Sequence, residues 1–299
     1  MTIDDKDYIL SITSEWKGER FPNNRPRVPE GLLRRIARVT FEEAWGPLMG
    51  KGYRNQTECG LTMARLGHKL VGRAVTATMV PARPDLDEAV KGYGRENGGR
   101  VGFYNQWVID GLEEDDVVVV DLFDKVFQGT FVGGNLSTAI RSRTVRGGAV
   151  IWGGIRDLEQ IVGIEGFQVF HRGVDPSGIG EVVMTGMNAP CRVGRAICLP
   201  GDVVLGTISG VAFIPPQHAE SVAVGAEKSS IRDAFGFQRI GEGRYTTAEI
   251  DTAWTKGMWD DFMGWFAADE KAAGYGHLDW EDELRRADGV KGGGSEVRV

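Results

Sequence analysis

Apolar runs and alternating positions divide the middle of the chain into strands. Residues 69–82 (KLVGRAVTATMVPA) alternate and are rich in β-branched side chains, which predicts a strand that ends near a proline. The continuous apolar runs at 115–123 (DDVVVVDLF) and 149–152 (AVIW) predict strands that are covered on both faces. A further strand is predicted at 167–173 (FQVFHRG).

Helical spacing lies between these strands. Apolar residues within 133–148 recur at helical intervals after two glycines, and 158–166 (LEQIVGIEG) has a similar character. Alternating strands and helices predict an α/β core. Closely spaced strand-like segments around 180–214 indicate that part of the sheet is antiparallel. The predicted fold class is therefore a layered α/β core with a mixed sheet.

The two ends of the chain differ from this core. Residues 1–30 are polar and proline-rich, which predicts an extended N-terminal arm, and 31–231 form the predicted α/β domain. Residues 232–299 hold half of the eight tryptophans. Within them, a capping box at 246–249 (TTAE) starts a run of apolar residues that predicts one long amphipathic helix. The tail at 291–299 is predicted to be disordered.

Composition narrows the class of protein. The 299 residues are 41% hydrophobic and 26% charged, as in ordinary globular proteins. The net charge of −7, without a stripe of Lys or Arg, argues against a nucleic-acid partner. The three cysteines lack CxxC spacing and indicate a reducing compartment without a zinc site. No signal peptide or membrane-length apolar run is visible, so we expect a cytoplasmic protein with no membrane partner.

Two glycine-rich turns carry the candidate chemistry. The first precedes a predicted helix, where backbone N–H groups and the positive end of the helix dipole favour an anion. Its four residues are Gly133, Gly134, Asn135 and Leu136. The second is GGIRD at 153–157, in which Arg156 is suited to a carboxylate or carbonyl oxygen and Asp157 to a hard divalent cation. Each turn alone also fits an ordinary connection between a strand and a helix.

The spacing of the two turns joins them into one hypothesis. One helix and one strand separate them, so both are predicted at the same edge of the sheet, where α/β proteins usually bind ligands. An anion cradle, a guanidinium and a metal ligand would then lie together. His171 is expected to be a packed residue, and Glu58 and Glu43 are further candidates for an acid or base.

The segment 133–178 resembles the signature of the RraA-like family. The pattern is an anion turn, a helix, a strand, G-x-x-R-D, a second strand and H-R-G-x-x-P, with weaker similarity over roughly 36–228. The family includes 4-hydroxy-4-methyl-2-oxoglutarate aldolases, oxaloacetate decarboxylases and non-catalytic regulators of RNase E activity. The resemblance therefore implies both a fold and a choice between catalysis and regulation.

The resemblance also implies roles for the residues of both turns. The turn at 133–136 would bind the carboxylate of a 2-oxo acid, Arg156 would polarise the 2-oxo group, and Asp157 would ligate Mg²⁺ or Mn²⁺. Family members are trimers or dimers of trimers with sites between subunits. A guanidinium and a divalent cation stabilise a developing enolate without covalent chemistry. We therefore expect a metal-dependent lyase that cleaves a C–C bond of a 2-oxo acid by retro-aldol cleavage or decarboxylation.

One position departs from the aldolase pattern. Gly134 stands where the aldolases carry an acidic residue, which puts the aldol reaction itself in question more than the 2-oxo-acid site. Two alternatives stay open. One is a non-catalytic regulatory or protein-binding member of the family, and the other is a hydratase or isomerase that uses the same site.

Overall fold

The structure of the protein is a computed structural model that describes residues 2–144 and 146–289, apart from the side chains of 288 and 289. The tail at 291–299, which was predicted to be disordered, lies outside these residues. The strands are β1 (Thr2–Ile3), β2 (Thr57–Glu58), β3 (Thr62–Met63), β4 (Leu70–Pro81), β5 (Asp116–Thr130), β6 (Gly148–Ile155), β7 (Gln168–Val174), β8 (Val182–Met187), β9 (Cys191–Val193), β10 (Ala196–Cys198), β11 (Val203–Thr207) and β12 (Gly210–Ile214).

The α-helices alternate with the strands and then dominate the C-terminal part. They are α1 (Lys6–Ile12), α2 (Glu30–Ile36), α3 (Phe41–Gly50), α4 (Pro84–Glu96), α5 (Tyr104–Asp110), α6 (Gly134–Arg143), α7 (Leu158–Gly163), α8 (Ala219–Gly241), α9 (Thr247–Ile250), α10 (Lys256–Ala268) and α11 (Glu281–Gly289). None of the helices in the described part of the chain has the length and apolarity needed to cross a membrane.

A mixed sheet forms the centre of the first part of the chain, as predicted. Its strand order is β2-β12-β11-β4-β5-β6-β7-β3, and β8 pairs with β4 and β1. Strands β4 to β7 are parallel to one another, whereas β11 and β8 run antiparallel to β4. Because β5, β6 and β7 are consecutive in both sequence and space, their carboxyl ends meet at one edge of the sheet.

Alternating side chains of the parallel strands build a core on each face of the sheet. On one face, Val118 and Val120 pack with residues of the crossover helices, including Ile140 of α6 and Ile161 of α7. On the other face, Val117 and Val119 pack in a second core with residues of the β9–β10 hairpin and β11–β12. The predicted covering of both faces is thus confirmed.

The strands predicted at 69–82, 115–123, 149–152 and 167–173 are confirmed as β4 to β7. Strand β5 continues seven residues past the predicted end, to Thr130. Two shifts in its register with β6 interrupt this extension. The backbone there enters the left-handed region at Phe123, Asp124 and Gln128. The extension leads the chain directly into the first glycine turn.

The N-terminal arm (residues 1–30) contains β1, α1 and a loop that packs on the sheet. Arg25 of this loop is only 2% exposed, and its two terminal nitrogens each donate a hydrogen bond of 2.7 Å to the fully buried carboxylate of Asp116. The Phe21 ring covers the same guanidinium, with its centroid 4.2 Å from Cζ. Strand β1 pairs with β8, so the arm is part of the sheet rather than an isolated extended segment.

The chain divides between Ala223 and Val224 into two compact units, whereas the sequence placed its boundary at 231/232. The second unit is helical, as predicted, and its core is aromatic: Phe262 is fully buried with Trp254, Trp259 and Trp265 around it. The prediction of one long helix in this unit is wrong. Thr255 caps the start of α10, so the run is split into α9 and α10.

Candidate functional site

The first glycine turn begins helix α6. Gly133 is the N-cap in an extended conformation, and no side chain caps the helix. The amides of Asn135 and Leu136 therefore lie in the first turn, where N–H groups have no acceptor within the helix. A Cβ at Gly133 would collide with Oδ2 of Asp157 and fall 2.9 Å from Cγ of Arg156, so glycine allows the close approach of the second turn.

The second turn joins β6 to α7 and lies directly against the first. Arg156 donates its backbone N–H to the carbonyl of Val132 over 3.0 Å. Asp157 occupies the left-handed region with φ of 55°, a conformation that Asp and Asn tolerate better than most residues. Its Oδ2 accepts a hydrogen bond of 3.2 Å from the backbone N–H of Gly134. The structure thus brings the two turns together at the predicted edge of the sheet.

The Arg156 and Asp157 side chains are both accessible to a ligand. Nε of Arg156 is 3.6 Å from Oδ2 of Asp157, and the two side chains are 46% and 38% exposed. The positive end of α6 and the guanidinium both face the carboxylate, so the site combines donors for an anion with one hard oxygen ligand. All six residues predicted for the site lie within these two turns.

Gln160 is a site residue that the sequence did not reveal. It lies in the first turn of α7, three residues after Asp157, and a Cβ at Gly134 would collide with its Oε1. The end of the exposed Gln160 side chain lies in this space and would have to turn aside for a side chain at position 134. The only signal in the sequence is indirect: a glycine at position 134 leaves room for a neighbouring side chain, but the sequence does not show which residue supplies that side chain.

The two hydroxyls that follow the turn do not cap α6. The Ser137 hydroxyl is buried and has no hydrogen-bond partner among the described residues. The Thr138 hydroxyl donates to the carbonyl of Gly134 over 2.9 Å. This bond within the helix holds the carbonyl side of the turn, while the N–H side stays directed at Asp157.

The remaining polar candidates lie outside the two turns. His171 is 3% exposed, and neither ring nitrogen has a hydrogen-bond partner among the described residues. Burial lowers the pKa of His171, so the ring is neutral at physiological pH. The carboxylate of Glu43 accepts the N–H of Thr40 in the capping box of α3, which assigns it a structural role.

Glu58 and Arg172 belong to a second polar cluster near the carboxyl end of β7. The Glu58 carboxylate accepts backbone N–H groups of Gly60 at 2.7 Å and Arg195 at 2.9 Å. Arg172 donates to Asp124 over 2.8 Å and stacks on Trp152, which packs against the β9–β10 face. Helix α6 packs on the opposite face, and no described contact joins Glu58 to the two turns.

The two turns supply one accessible oxygen ligand for a hard divalent cation, the carboxylate of Asp157. Nowhere in the described ranges do three or more His, Cys, Asp or Glu side chains form a group that could hold a metal ion. Mg²⁺ commonly binds through one or two carboxylates and keeps several waters or substrate oxygens as its other ligands. The accessible carboxylate of Asp157 supplies one such oxygen ligand, so a metal site here would be completed by water and substrate.

The fold and the paired turns define a known class of protein. The profile of the RraA-like family, described as Aldolase/RraA, matches residues 43–213. This chain belongs to the RraA-like family, as the signature at 133–178 predicted. The match begins after the N-terminal arm and ends before the helical C-terminal unit.

Particular relatives place the chain within that family. A protein of Halalkalibacterium halodurans named "Putative 4-hydroxy-4-methyl-2-oxoglutarate aldolase" is 29% identical over 121 residues, which are 40% of this chain and 55% of that protein. The chain thus matches about half the length of this curated relative. The crystal structure of Streptomyces coelicolor RraAS2, an unusual member of the RNase ES inhibitor RraA protein family, has a TM-score of 0.60 at 24% identity. The superposed region covers 72% of this chain and 98% of the RraAS2 chain.

A second solved structure supports the fold alone. An uncharacterized protein from Pseudomonas syringae pv. tomato covers 78% of this chain and 98% of its own, with a TM-score of 0.61 at 17% identity. The solved relatives thus confirm the layered α/β architecture with its mixed sheet. The family contains both the aldolase-like relative and RNase inhibitors, so the reaction must be argued from the site.

Proposed function

We propose that this protein is a divalent-metal-dependent lyase that cleaves a C–C bond of a 2-oxo acid through a pyruvate-enolate intermediate. The observation that carries the proposal is the contact between the two turns. Asp157 Oδ2 lies 3.2 Å from the Gly134 N–H and 3.6 Å from Arg156 Nε, which concentrates an anion cradle, a guanidinium and a metal ligand at one point. A binding protein would not need this combination.

The first turn is suited to the substrate carboxylate. The N–H groups of Asn135 and Leu136 lack acceptors within α6, and the positive end of the helix lies behind them. A carboxylate bound there would be held by backbone donors whose positions are fixed by the turn. The 2-oxo group of the same substrate would then point towards the second turn.

Arg156 is the residue that we expect to stabilise the reacting oxygen. When the C3–C4 bond breaks, its electron pair forms the C2–C3 double bond of the enolate, and the π pair of the carbonyl group moves onto the C2 oxygen, which becomes negatively charged. A guanidinium that donates to this oxygen lowers the barrier because the interaction strengthens as the charge develops. Mg²⁺ or Mn²⁺ held by Asp157 would supply additional positive charge beside the same oxygen.

Decarboxylation makes the smallest demand on the residues of this site. A retro-aldol cleavage also requires a base that removes the proton of the C4 hydroxyl group. In oxaloacetate decarboxylation the C4 carboxylate leaves as CO₂ without such a base, and the resulting enolate takes up a proton at C3. Gly134 provides no acidic side chain, and the Gln160 amide beside it is neutral. We therefore place decarboxylation ahead of aldol cleavage.

A homo-oligomer would complete the site. Val174 of β7 is 47% exposed. Its partner in the ladder with β6 is Ile155, the residue directly before Arg156. Phe127 in the β5 extension is 65% exposed. Exposed apolar side chains beside an open polar site favour a second copy of the chain as the cover. Light scattering with Val174→Asp would test this: we expect a trimer or hexamer that the aspartate dissociates.

The central experiment measures pyruvate release from oxaloacetate and from 4-hydroxy-2-oxo acids, with Mg²⁺ and with EDTA. We expect metal-dependent turnover above the spontaneous, metal-catalysed rate. Arg156→Ala should lower kcat by about 10²- to 10³-fold, as loss of an oxyanion donor does in other enzymes. Asp157→Asn should abolish the metal dependence, and asparagine keeps the left-handed backbone that alanine would strain.

Glu159→Gln is the matched control for Asp157→Asn. It removes one negative charge from the exposed first turn of α7 without touching either glycine turn, so turnover should stay within about twofold of wild type because surface charges act weakly. Turnover that is indifferent to EDTA, Arg156 and Asp157 contradicts the lyase proposal. Absence of turnover on every substrate, with no binding of pyruvate or oxalate, would favour the regulatory alternative.

A further inference from the structure

A cavity of about 410 Å³ lies in the first unit, apart from the two glycine turns. Residues 12–15 of the N-terminal arm form one wall, and residues from the end of β10 and from 215–217 contribute to the others. Much of the lining is aliphatic, with Ile12 and Leu199 among its members. The volume lies within the range of pockets that hold small organic molecules.

Asp202 gives this cavity a polar base. The residue is 2% exposed, and its Oδ2 accepts a hydrogen bond of 2.8 Å from the backbone N–H of Leu199. No described residue donates a hydrogen bond to its other oxygen, Oδ1. Oδ1 is not among the enclosed polar atoms of the described residues that lack a hydrogen-bond partner, so it is open to a donor from outside the protein. The cavity is the direction from which such a partner can come.

The lining of the cavity is acidic. Glu15 is exposed at its rim, where Gln217 Nε2 lies 3.4 Å from its carboxylate. The lining of described residues contains Asp202 and Glu15 but no Lys, Arg or His. Arg20 donates to Thr13 from behind the wall, and His218 packs on the Tyr53 ring, so the charged side chains that line the cavity itself are the two carboxylates.

We propose that this cavity binds a small organic cation, a primary ammonium group on a short aliphatic chain. The ammonium would donate to Asp202 Oδ1, and the chain would pack on Ile12 and Leu199. An ammonium supplies the missing hydrogen bond and the compensating charge at once. The wall from the N-terminal arm precedes the segment that matches the family, so this site is a property of the present chain rather than of the shared core.

The charge state of Asp202 makes the binding dependent on pH. Burial raises the pKa of Asp202 to about 7, so its carboxyl is ionised above that pH and protonated below it. The other titratable or charged groups around the cavity are Glu15 and Tyr53 in the lining, the buried thiol of Cys198, His218 against the Tyr53 ring, and Arg20, which donates to Thr13. Affinity for an ammonium ion should therefore be highest above pH 7 and fall as Asp202 takes up a proton.

Calorimetric titration of the full chain with n-butylammonium chloride at pH 8 tests the proposal. We expect saturable binding to one site with a Kd of about 1 mM, which is reasonable for so small a ligand. Butan-1-ol and butanoate, which match the chain without the cation, should not bind. Asp202→Asn should weaken binding by about 10- to 100-fold, the value of a charged hydrogen bond. Asp251 is an exposed carboxylate in the other unit, so Asp251→Asn should leave the affinity for n-butylammonium unchanged.

Ile197→Lys provides a second test that leaves Asp202 in place. Ile197 lines the cavity and is 38% exposed, so the lysine is tolerated and brings a tethered ammonium to the wall. This variant should lose n-butylammonium binding while it stays folded by circular dichroism. Binding that is equal in wild type and Asp202→Asn overturns the proposal. So does the failure of wild type to saturate at about 20 mM, well above the expected Kd.

Discussion

The buried ion pair between Arg25 and Asp116 provides a quantitative test of how firmly the N-terminal arm is anchored. Arg25→Ala removes two hydrogen bonds of 2.7 Å and leaves the carboxylate of Asp116 fully buried. Breaking a buried pair by removing one partner costs about 3–5 kcal/mol, because the remaining charge is uncompensated. The perturbation thus separates an anchored arm from a loosely attached one.

The surroundings of Asp116 place the expected cost within that range. After Arg25→Ala, Asp116 keeps the N–H of Glu113 at 2.9 Å and the guanidinium of Arg73 at 3.8 Å. We therefore expect a loss of about 3 kcal/mol in the free energy of unfolding, or about 150-fold in the equilibrium constant. Asp116→Ala leaves the buried guanidinium groups of Arg25 and Arg73 without their carboxylate, and it should lower the free energy of unfolding by about 5 kcal/mol. The double change Arg25→Met with Asp116→Leu should be far milder than either, since an apolar pair carries no charge to desolvate.

Urea unfolding followed by circular dichroism measures the loss, and hydrogen exchange over residues 1–28 shows whether the arm opens first. Arg27→Ala is the matched control, because Arg27 also faces the Phe21 ring but pairs with Glu19 at the surface. An exposed pair of this kind contributes about 1 kcal/mol or less. Equal and small losses for Arg25→Ala and Arg27→Ala would refute the buried anchor.

Three further outcomes are expected. Gly134→Asp should raise aldol cleavage relative to decarboxylation, and the double change Gly134→Asp with Gln160→Ala should raise it further, since in the single variant the exposed Gln160 side chain must turn aside. The ratio of the two pyruvate-release rates decides this. Asp202→Asn should be more stable than wild type at pH 8, by up to about 4 kcal/mol, with the difference vanishing near pH 4. The sign follows because a folded pKa of about 7 for Asp202 makes wild-type stability fall as pH rises from about 4 to 7. Urea titrations of both proteins at pH 4 and pH 8 measure the difference in their free energies of unfolding. A difference that is the same at both pH values would count against the buried charge. Phe262→Ala should lower the free energy of unfolding of the second unit by about 3–5 kcal/mol, because it empties the centre of the aromatic core. Thermal unfolding measures this loss, and a loss of less than about 1 kcal/mol would mean that this core tolerates the cavity.

Local pattern was sufficient for the elements that position the site. The valine run at 117–120 and the apolar run at 149–152 identify β5 and β6, because strands covered on both faces must be apolar throughout. The glycines of the two turns follow from the steric demand of a tight strand–helix connection. Their proximity followed from the rule that consecutive parallel strands end at the same edge.

Features set by distant contacts were invisible in the sequence. The anchor of the arm joins Arg25 to Asp116 across 91 positions, and no local periodicity encodes such a pair. The division of the C-terminal run at Thr255 depends on a cap that competes with a continuous apolar pattern. Gln160 lies in the first turn of α7, whose N-cap Asp157 has a left-handed conformation that a sequence pattern does not specify.

The hydrogen bond from Gly134 to Asp157 gives the proposed site an order of assembly. Besides the N–H groups of Asn135 and Leu136, the turn offers a third donor to a substrate carboxylate, the N–H of Gly134, and this one is already engaged by the protein's own carboxylate at 3.2 Å. A cation that draws Asp157 towards itself releases this N–H, and a carboxylate that takes the N–H releases Asp157 for the cation. Binding of the two would therefore be cooperative, and linkage requires each to raise the affinity of the other by the same factor. The pyruvate affinity measured with and without Mg²⁺ would give this coupling directly.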